Sequence, residues 1–181
     1  MAGVLKKIQA YKPGIPTDPA TTQGAIVSKA QMDKVLRYID IGLSEGATLA
    51  CGGKRPSDPA LQKGYVIEPT VFTNVRADMR IAREEIFGPV LSVIKWSDEE
   101  TMFEQVNSVE YGLTGAVFTR DLAIAHRAAS RIEAGLVWVN NSSSHFLGTG
   151  FGGYKQSGLG RDESIEELMF YTQPKNINIT L

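Results

Sequence analysis

Between residues 90 and 140 the chain alternates strand and helix signals, and this alternation limits the folds open to it more than any other feature. Val90 to Trp96 opens with the apolar run Val90-Leu91-Ser92-Val93-Ile94, which reads as a strand at least partly buried on both faces. Ser97 and Glu100 then have capping-box spacing, which predicts a helix to about Val109 with Met102, Phe103, Val106 and Val109 on one face. Tyr111-Gly112-Leu113 turns the chain into a second strand, Thr114 to Thr119. Asp121 is placed to cap a further helix, with Leu122, Ala125, Ala129 and Ile132 inward and Gly135 as its stop. Leu136 to Val139 forms the next strand. This order predicts an α/β fold with a mostly parallel sheet and helical crossovers.

The flanking segments add to this frame. Residues 4 to 11 read as the last turns of a helix or a short arm, and Pro13, Pro16 and Pro19 as a loop. Ser28 is positioned to cap a helix from Lys29 to Ser44, with Met32, Val35, Leu36, Ile39 and Leu43 at helical spacing and Gly46 beyond its end. Thr48 to Cys51 is a short strand, and Tyr65 to Phe72 is extended with a break at Glu68-Pro69. A short helix or turn is expected within Asn74 to Glu84. Asn140 to Lys155 is polar, glycine-rich and aperiodic, the pattern of a functional loop. Asp162 or Ser164 starts a short helix through Met169-Phe170, and Ile177 to Leu181 alternates as an edge or added strand.

Several function classes are excluded early. Nineteen Lys and Arg against twenty Asp and Glu give a formal charge of -1, which offers no basis for a nucleic-acid or membrane-surface partner. No apolar run approaches the roughly 18 residues of a membrane span. One cysteine, Cys51, rules out an intramolecular disulfide framework and fits a reducing, cytoplasmic setting. The only histidines, His126 and His145, sit in no ligand-like cluster, so no metal site is expected. His126 should lie half-exposed on a helix. A triad drawn from Ser142, His145 and an acid has no sequence context to order it. Gly150, Gly152, Gly153, Gly158 and Gly160 match neither nucleotide-loop spacing and read as tight turns.

What remains is the polar stretch before the strand at residue 90. Glu84-Glu85-Ile86-Phe87-Gly88-Pro89-Val90 resembles a signature of the NAD(P)-dependent aldehyde dehydrogenases. Gly64 to Phe72, Asn107 with Tyr111-Gly112-Leu113, Ala134 to Asn140 and Phe151 to Arg161 are similar to further words of that family, in family order from about Gly24 onward. Gly150 stands where the family usually has proline, Asp162 where it has glutamate, and Ala25 where it has proline.

By chemistry alone Glu85 reads as a surface or helix-end glutamate; the resemblance implies that it accepts hydrogen bonds from the ribose hydroxyls beside the nicotinamide. It implies that Phe87 packs beside the same riboside, with Gly88 and Pro89 fixing the turn and Glu84 structural. Phe151 reads either as part of the aromatic lining of the substrate funnel or as a staple for the glycine-rich loop. His145 stands near a position where many members carry an aromatic or apolar funnel residue. Trp138 reads as strand core or subunit contact; Asn140, Gly152 and Gly153 read as structural motif residues.

The resemblance implies an aldehyde dehydrogenase catalytic-domain-like fold over residues 1–170 and an oligomerisation strand over 171–181. It also implies that the nucleophilic cysteine, the general-base glutamate and the Rossmann-like cofactor domain precede the matched region. Cys51 is in the wrong motif and reads as a small buried hydrophobe. The full-length family oxidises an aldehyde to a carboxylic acid with NAD or NADP through a thiolate nucleophile. This chain alone is therefore expected to hold no catalytic residue, to bind no dinucleotide and to be inactive unless the missing half is supplied. A homo-oligomer through the C-terminal strand is expected. The alternative is a catalytically dead short paralogue that acts as a self-associating structural or interaction domain.

Overall fold

The fold is that of a computed structural model describing residues 1–181, and it divides into two compact units, Met1–Ser97 and Asp98–Leu181. The first holds α1 (Ala2–Ile8), α2 (Lys29–Ser44), β1 (Thr48–Cys51), β2 (Thr70–Thr73), α3 (Arg80–Arg83) and β3 (Val90–Ser92). The second holds α4 (Glu99–Asn107), β4 (Tyr111–Gly112), β5 (Thr114–Val117), α5 (Leu122–Arg131), β6 (Leu136–Val139), β7 (Tyr154–Lys155) and α6 (Ile165–Phe170).

In the first unit β2 is central, antiparallel to β1 and parallel to β3. The parallel step is made by the one-turn α3. Helix α2 is set as its sequence predicts: Ser28 is its N-cap, and the side chain accepts from the Gln31 amide at 3.2 Å. Its apolar stripe, Met32, Val35 and Ile39 with Tyr38, packs on Ile67, Phe72, Val75, Met79, Ile81 and Ile86. Phe72 and Ile67 at the centre of this core are fully buried. The one buried polar residue, Thr70, is satisfied: its hydroxyl donates to the Glu68 carbonyl and accepts from the Gly53 amide, both at 2.9 Å.

The second unit joins β5 and β6 as a parallel pair through α5, a right match to the expected crossover. Asp121 caps α5, accepting from the Ile124 amide at 2.9 Å. The buried hydrophobic side chains of this unit are few and mostly small: Phe103, Ala125, Ala128 and Ala134. Two long-range polar clamps supplement them. Asn107 donates to the Arg131 carbonyl at 2.8 Å and accepts from the Glu133 amide at 3.0 Å. Lys155 donates to the Asn107 and Val109 carbonyls, at 2.6 and 3.3 Å, where α4 ends, and pairs with Glu133 at 2.7 Å.

Several expectations are corrected. The sheet is not one mostly parallel sheet: two parallel ladders, β2–β3 and β5–β6, are matched by two antiparallel ones, β1–β2 and β4–β7. The strand at residue 90 ends at Ser92, pairs only with β2 as a sheet edge, and leaves Leu91 exposed. Helix α4 is capped by Asp98, which accepts from the Thr101 amide at 2.8 Å, rather than by a Ser97–Glu100 box. On α5 it is Ala125 and Ala128 that are buried, while Leu122 is exposed. Leu43, expected on the inner stripe of α2, is exposed, and so is His126 on α5. Residues 172–181 carry no strand, and Ile177, Ile179 and Leu181 are exposed. No helix is long and apolar enough to cross a membrane.

Candidate functional site

In the first unit the chain leaves α3 at Glu84, whose backbone is already extended, and runs through Glu85 to Pro89 into β3. The two adjacent carboxylates part company here. Glu84 is tied down: the Tyr38 hydroxyl donates to Oε2 at 2.5 Å, and Arg80 Nε and Nη2 donate to Oε1 and Oε2 at 2.7 and 2.9 Å. Arg80 first, and the Tyr38 hydroxyl after it, hold the Glu84 carboxyl at about 2, well under its ordinary value of 4.5. The same contact, seen from its partner, pushes the Tyr38 hydroxyl up. Glu85 belongs to neither pair and is exposed.

The pair has a definite pH signature. A carboxylate depressed by folding stabilises fully above its unfolded value, and the gain is lost as pH falls through the folded value. The stability difference between the wild-type chain and Glu84→Gln should therefore be constant above 4.5 and shrink progressively towards about 2. Urea titrations at stepped pH check this. A difference that persists undiminished at the acid end would contradict it.

Past Glu85, Ile86 is buried in the core and anchors the loop. Phe87 turns out: it is 73% exposed and its φ is 55°, the left-handed region that a bulky side chain rarely adopts. Gly88 follows because a Cβ there would stand 2.5 Å from a Val35 methyl. The Pro89 carbonyl accepts from the Thr70 amide at 2.8 Å, which joins the loop to β2.

In the second unit the structure brings His145 and Phe151 together, their ring centroids 4.9 Å apart. Trp138 meets the histidine edge-on, ring centroids 6.3 Å apart, and its Nε1 donates to the Ser144 carbonyl at 2.7 Å. His145 Nδ1 lies 2.8 and 2.9 Å from the two oxygens of Glu163. Phe151 is half-buried, and its backbone exchanges hydrogen bonds with Asp162 at 2.9 and 2.7 Å. Gly152 packs its carbonyl against Gly135, and the buried Gly153 accepts from Arg161 at 3.2 Å. Asn140 closes the β5–β6 pair: its side chain accepts from the Thr119 amide at 2.9 Å and donates to the Thr119 carbonyl at 2.8 Å.

Cys51 is half-buried on β1, with Sγ 3.8 Å from the Pro69 carbonyl. No grouping of three or more His, Cys, Asp or Glu side chains is arranged to hold a metal ion. Sequence reasoning did not reach Gln31, Tyr38, Arg80 and Glu163. Of these, only the Arg80–Glu84 spacing of four along one turn carried a local signal.

The profile of the aldehyde dehydrogenase family matches residues 1–177, and the chain belongs to that family. It is 51% identical, over its whole length, to the aldehyde dehydrogenase tropH of Talaromyces stipitatus, of which it covers 36%. It is 47% identical over 98% of its length to the betaine aldehyde dehydrogenase of Brucella anthropi, covering 37% of that protein. Among solved structures, the betaine aldehyde dehydrogenase of Staphylococcus aureus in complex with NAD+ superposes with a TM-score of 0.89 at 37% identity, over 99% of this chain and 38% of that one. The NAD+ complex of the Bacillus cereus aldehyde dehydrogenase gives 0.88 at 41% identity, over 95% and 34%. The chain thus spans little more than a third of the relatives it matches.

Proposed function

We propose that this chain supplies the nicotinamide-side cofactor loop and part of the substrate wall of an NAD(P)-dependent aldehyde dehydrogenase, which oxidises an aldehyde to a carboxylic acid. One observation carries the reading. Beside a glutamate that is fully committed to the fold, Glu85 and Phe87 are exposed on a loop whose backbone is held in a strained conformation. Exposed, strained residues held by their surroundings are a mark of functional sites.

The residues fit the group. The two oxygens of Glu85 suit a pair of ribose hydroxyls, and the outward ring of Phe87 offers a flat apolar surface to a riboside. When bound, the dinucleotide supplies the hydride acceptor. The chain's own part is to orient the riboside through Glu85 and Phe87. On the substrate side, His145 and Phe151 form a wall, with His145 oriented by Glu163.

The 181 residues alone are proposed to be inactive. The one cysteine, Cys51, lies half-buried on β1 with its Sγ 3.8 Å from the Pro69 carbonyl. We further propose a homo-oligomer through residues 171–181, whose alternating apolar side chains Ile177, Ile179 and Leu181 are exposed, in a cytoplasmic setting. The test is calorimetric titration with NAD and with NADP, beside an assay for aldehyde-dependent cofactor reduction and light scattering for mass. Expected are no saturable heat, no turnover and a mass above that of one chain. Saturation at micromolar cofactor with turnover would overturn the inactive reading.

A further inference from the structure

Phe87 poses a physical question that its own contacts leave unanswered. Its left-handed backbone is strained, and its ring, being mostly exposed, does not pay it back by burial. The restraint comes from one face of α2. Gln31 Nε2 donates to the carbonyls of both Ile86 and Phe87, at 2.9 and 3.0 Å, and so grips the peptide groups on either side of the strained residue's own Cα. Val35 fills the space beside Gly88 that a side chain there would need. The Tyr38 hydroxyl holds Glu84 at the loop's start.

Gln31, Val35 and Tyr38 are spaced by four and then three, so they lie on one stripe of a single helix. The stripe touches the loop at its beginning, middle and end. Ser28 holds the Gln31 amide, so the cap of α2 also fixes the residue that makes the double contact.

We propose that the Gln31–Val35–Tyr38 stripe of α2 is a positioning element: it holds the loop at residues 84–88 with Phe87 left-handed and ring outward before any ligand arrives. Its use, presenting Glu85 and Phe87 to a nicotinamide riboside, rests on the function proposed above. Preorganisation of this kind removes the ordering cost from the binding step.

The experiment compares wild type with Gln31→Glu and Gln31→Met, which keep the length of the side chain and remove the donor, and with Tyr38→Phe. Backbone 15N order parameters of residues 85–88 are measured first, then their shifts under titration with nicotinamide mononucleotide. Wild type should show order parameters of about 0.85 at Phe87 and Gly88, falling below about 0.6 in both Gln31 variants while β2 and α5 stay rigid. The apparent dissociation constant of the mononucleotide should rise on the order of tenfold, as expected for two lost hydrogen bonds. Tyr38→Phe should loosen Glu84 and Glu85 and leave Phe87 ordered. Order parameters unchanged in both Gln31 variants would overturn the positioning role. A wild-type loop that is rigid, loosens in the Gln31 variants, and shows no response to the mononucleotide would uphold positioning and overturn the cofactor reading.

Discussion

Phe72→Ala is expected to lower the stability of the Met1–Ser97 unit by about 3–5 kcal/mol, the range for an aromatic removed from a packed core. Phe72 has no exposed surface, lies on the central strand, and touches the α2 stripe across which the unit closes. A deletion there leaves a cavity that β2 cannot fill, because β1 and β3 hold it on both sides. Total stabilities of about 5–15 kcal/mol make such a loss comparable to the whole margin. Urea denaturation should show a large fall in midpoint. Phe118→Ala, at a residue 70% exposed, should change stability by no more than about 0.5 kcal/mol. A Phe72 effect as small as the Phe118 effect would contradict the assignment of the core.

The second large effect is expected at Gly135. A methyl there would run into the backbone carbonyl of Gly152 and stand 3.2 Å from the backbone carbon of Gly153. Backbone atoms cannot rotate aside as a side chain can. The 151–155 segment would have to lift, losing the β4–β7 ladder and straining the exchange between Phe151 and Asp162. Gly135 also donates from its amide to the Gly112 carbonyl at 3.0 Å, so β4 is drawn into the same disturbance. Gly135→Ala should destabilise by about 3 kcal/mol, the upper part of the overpacking range. Because Trp138 lies against His145, its fluorescence should report loosening of the aromatic wall before global unfolding. An unperturbed chain of wild-type stability would mean that the Gly135–Gly152 approach is not what seats this loop.

These two sites also mark what the sequence could reveal. The bounds of helix α2 were legible, since Ser28, the spacing of Met32, Val35 and Ile39, and Gly46 are all local signals, although Leu43 at its end is exposed. The same holds for β6 and for the Asp121 cap of α5. Legibility fell where neighbours decide. Ser97 and Asp98 are both good caps, and only the chain's path selects Asp98. The run after Val90 is apolar enough for a buried strand, yet the partner that would cover its outer edge is absent from its sheet, and it ends at Ser92. Alternation at Ile177–Leu181 gives a strand pattern with no ladder within this chain.

The candidate site follows the same rule. Glu85, Phe87, Phe151 and His145 stood in linear words that resembled a family, and family membership was readable from their order. The resemblance marked Glu84 as structural and its tie to Arg80 has a local spacing of four, but the bond from Tyr38, 46 residues away, and the seat of Phe87 on Gln31, 56 residues away, were not announced. Neither of these two long separations has a local period. The pairing of His145 with Glu163, 18 residues apart across a glycine-rich stretch, was hidden for the same reason.

The measurement that bears most directly on the central claim is a nicotinamide mononucleotide titration of the wild-type chain and Glu85→Ala, followed by amide shifts. The mononucleotide is the half of the cofactor that Glu85 and Phe87 are proposed to contact, and weak local binding is visible by this method where calorimetry is silent. Shifts confined to residues 84–90 in wild type, and abolished in Glu85→Ala, are the predicted result. Shifts elsewhere, or identical in both proteins, would contradict the assignment of this loop to the cofactor.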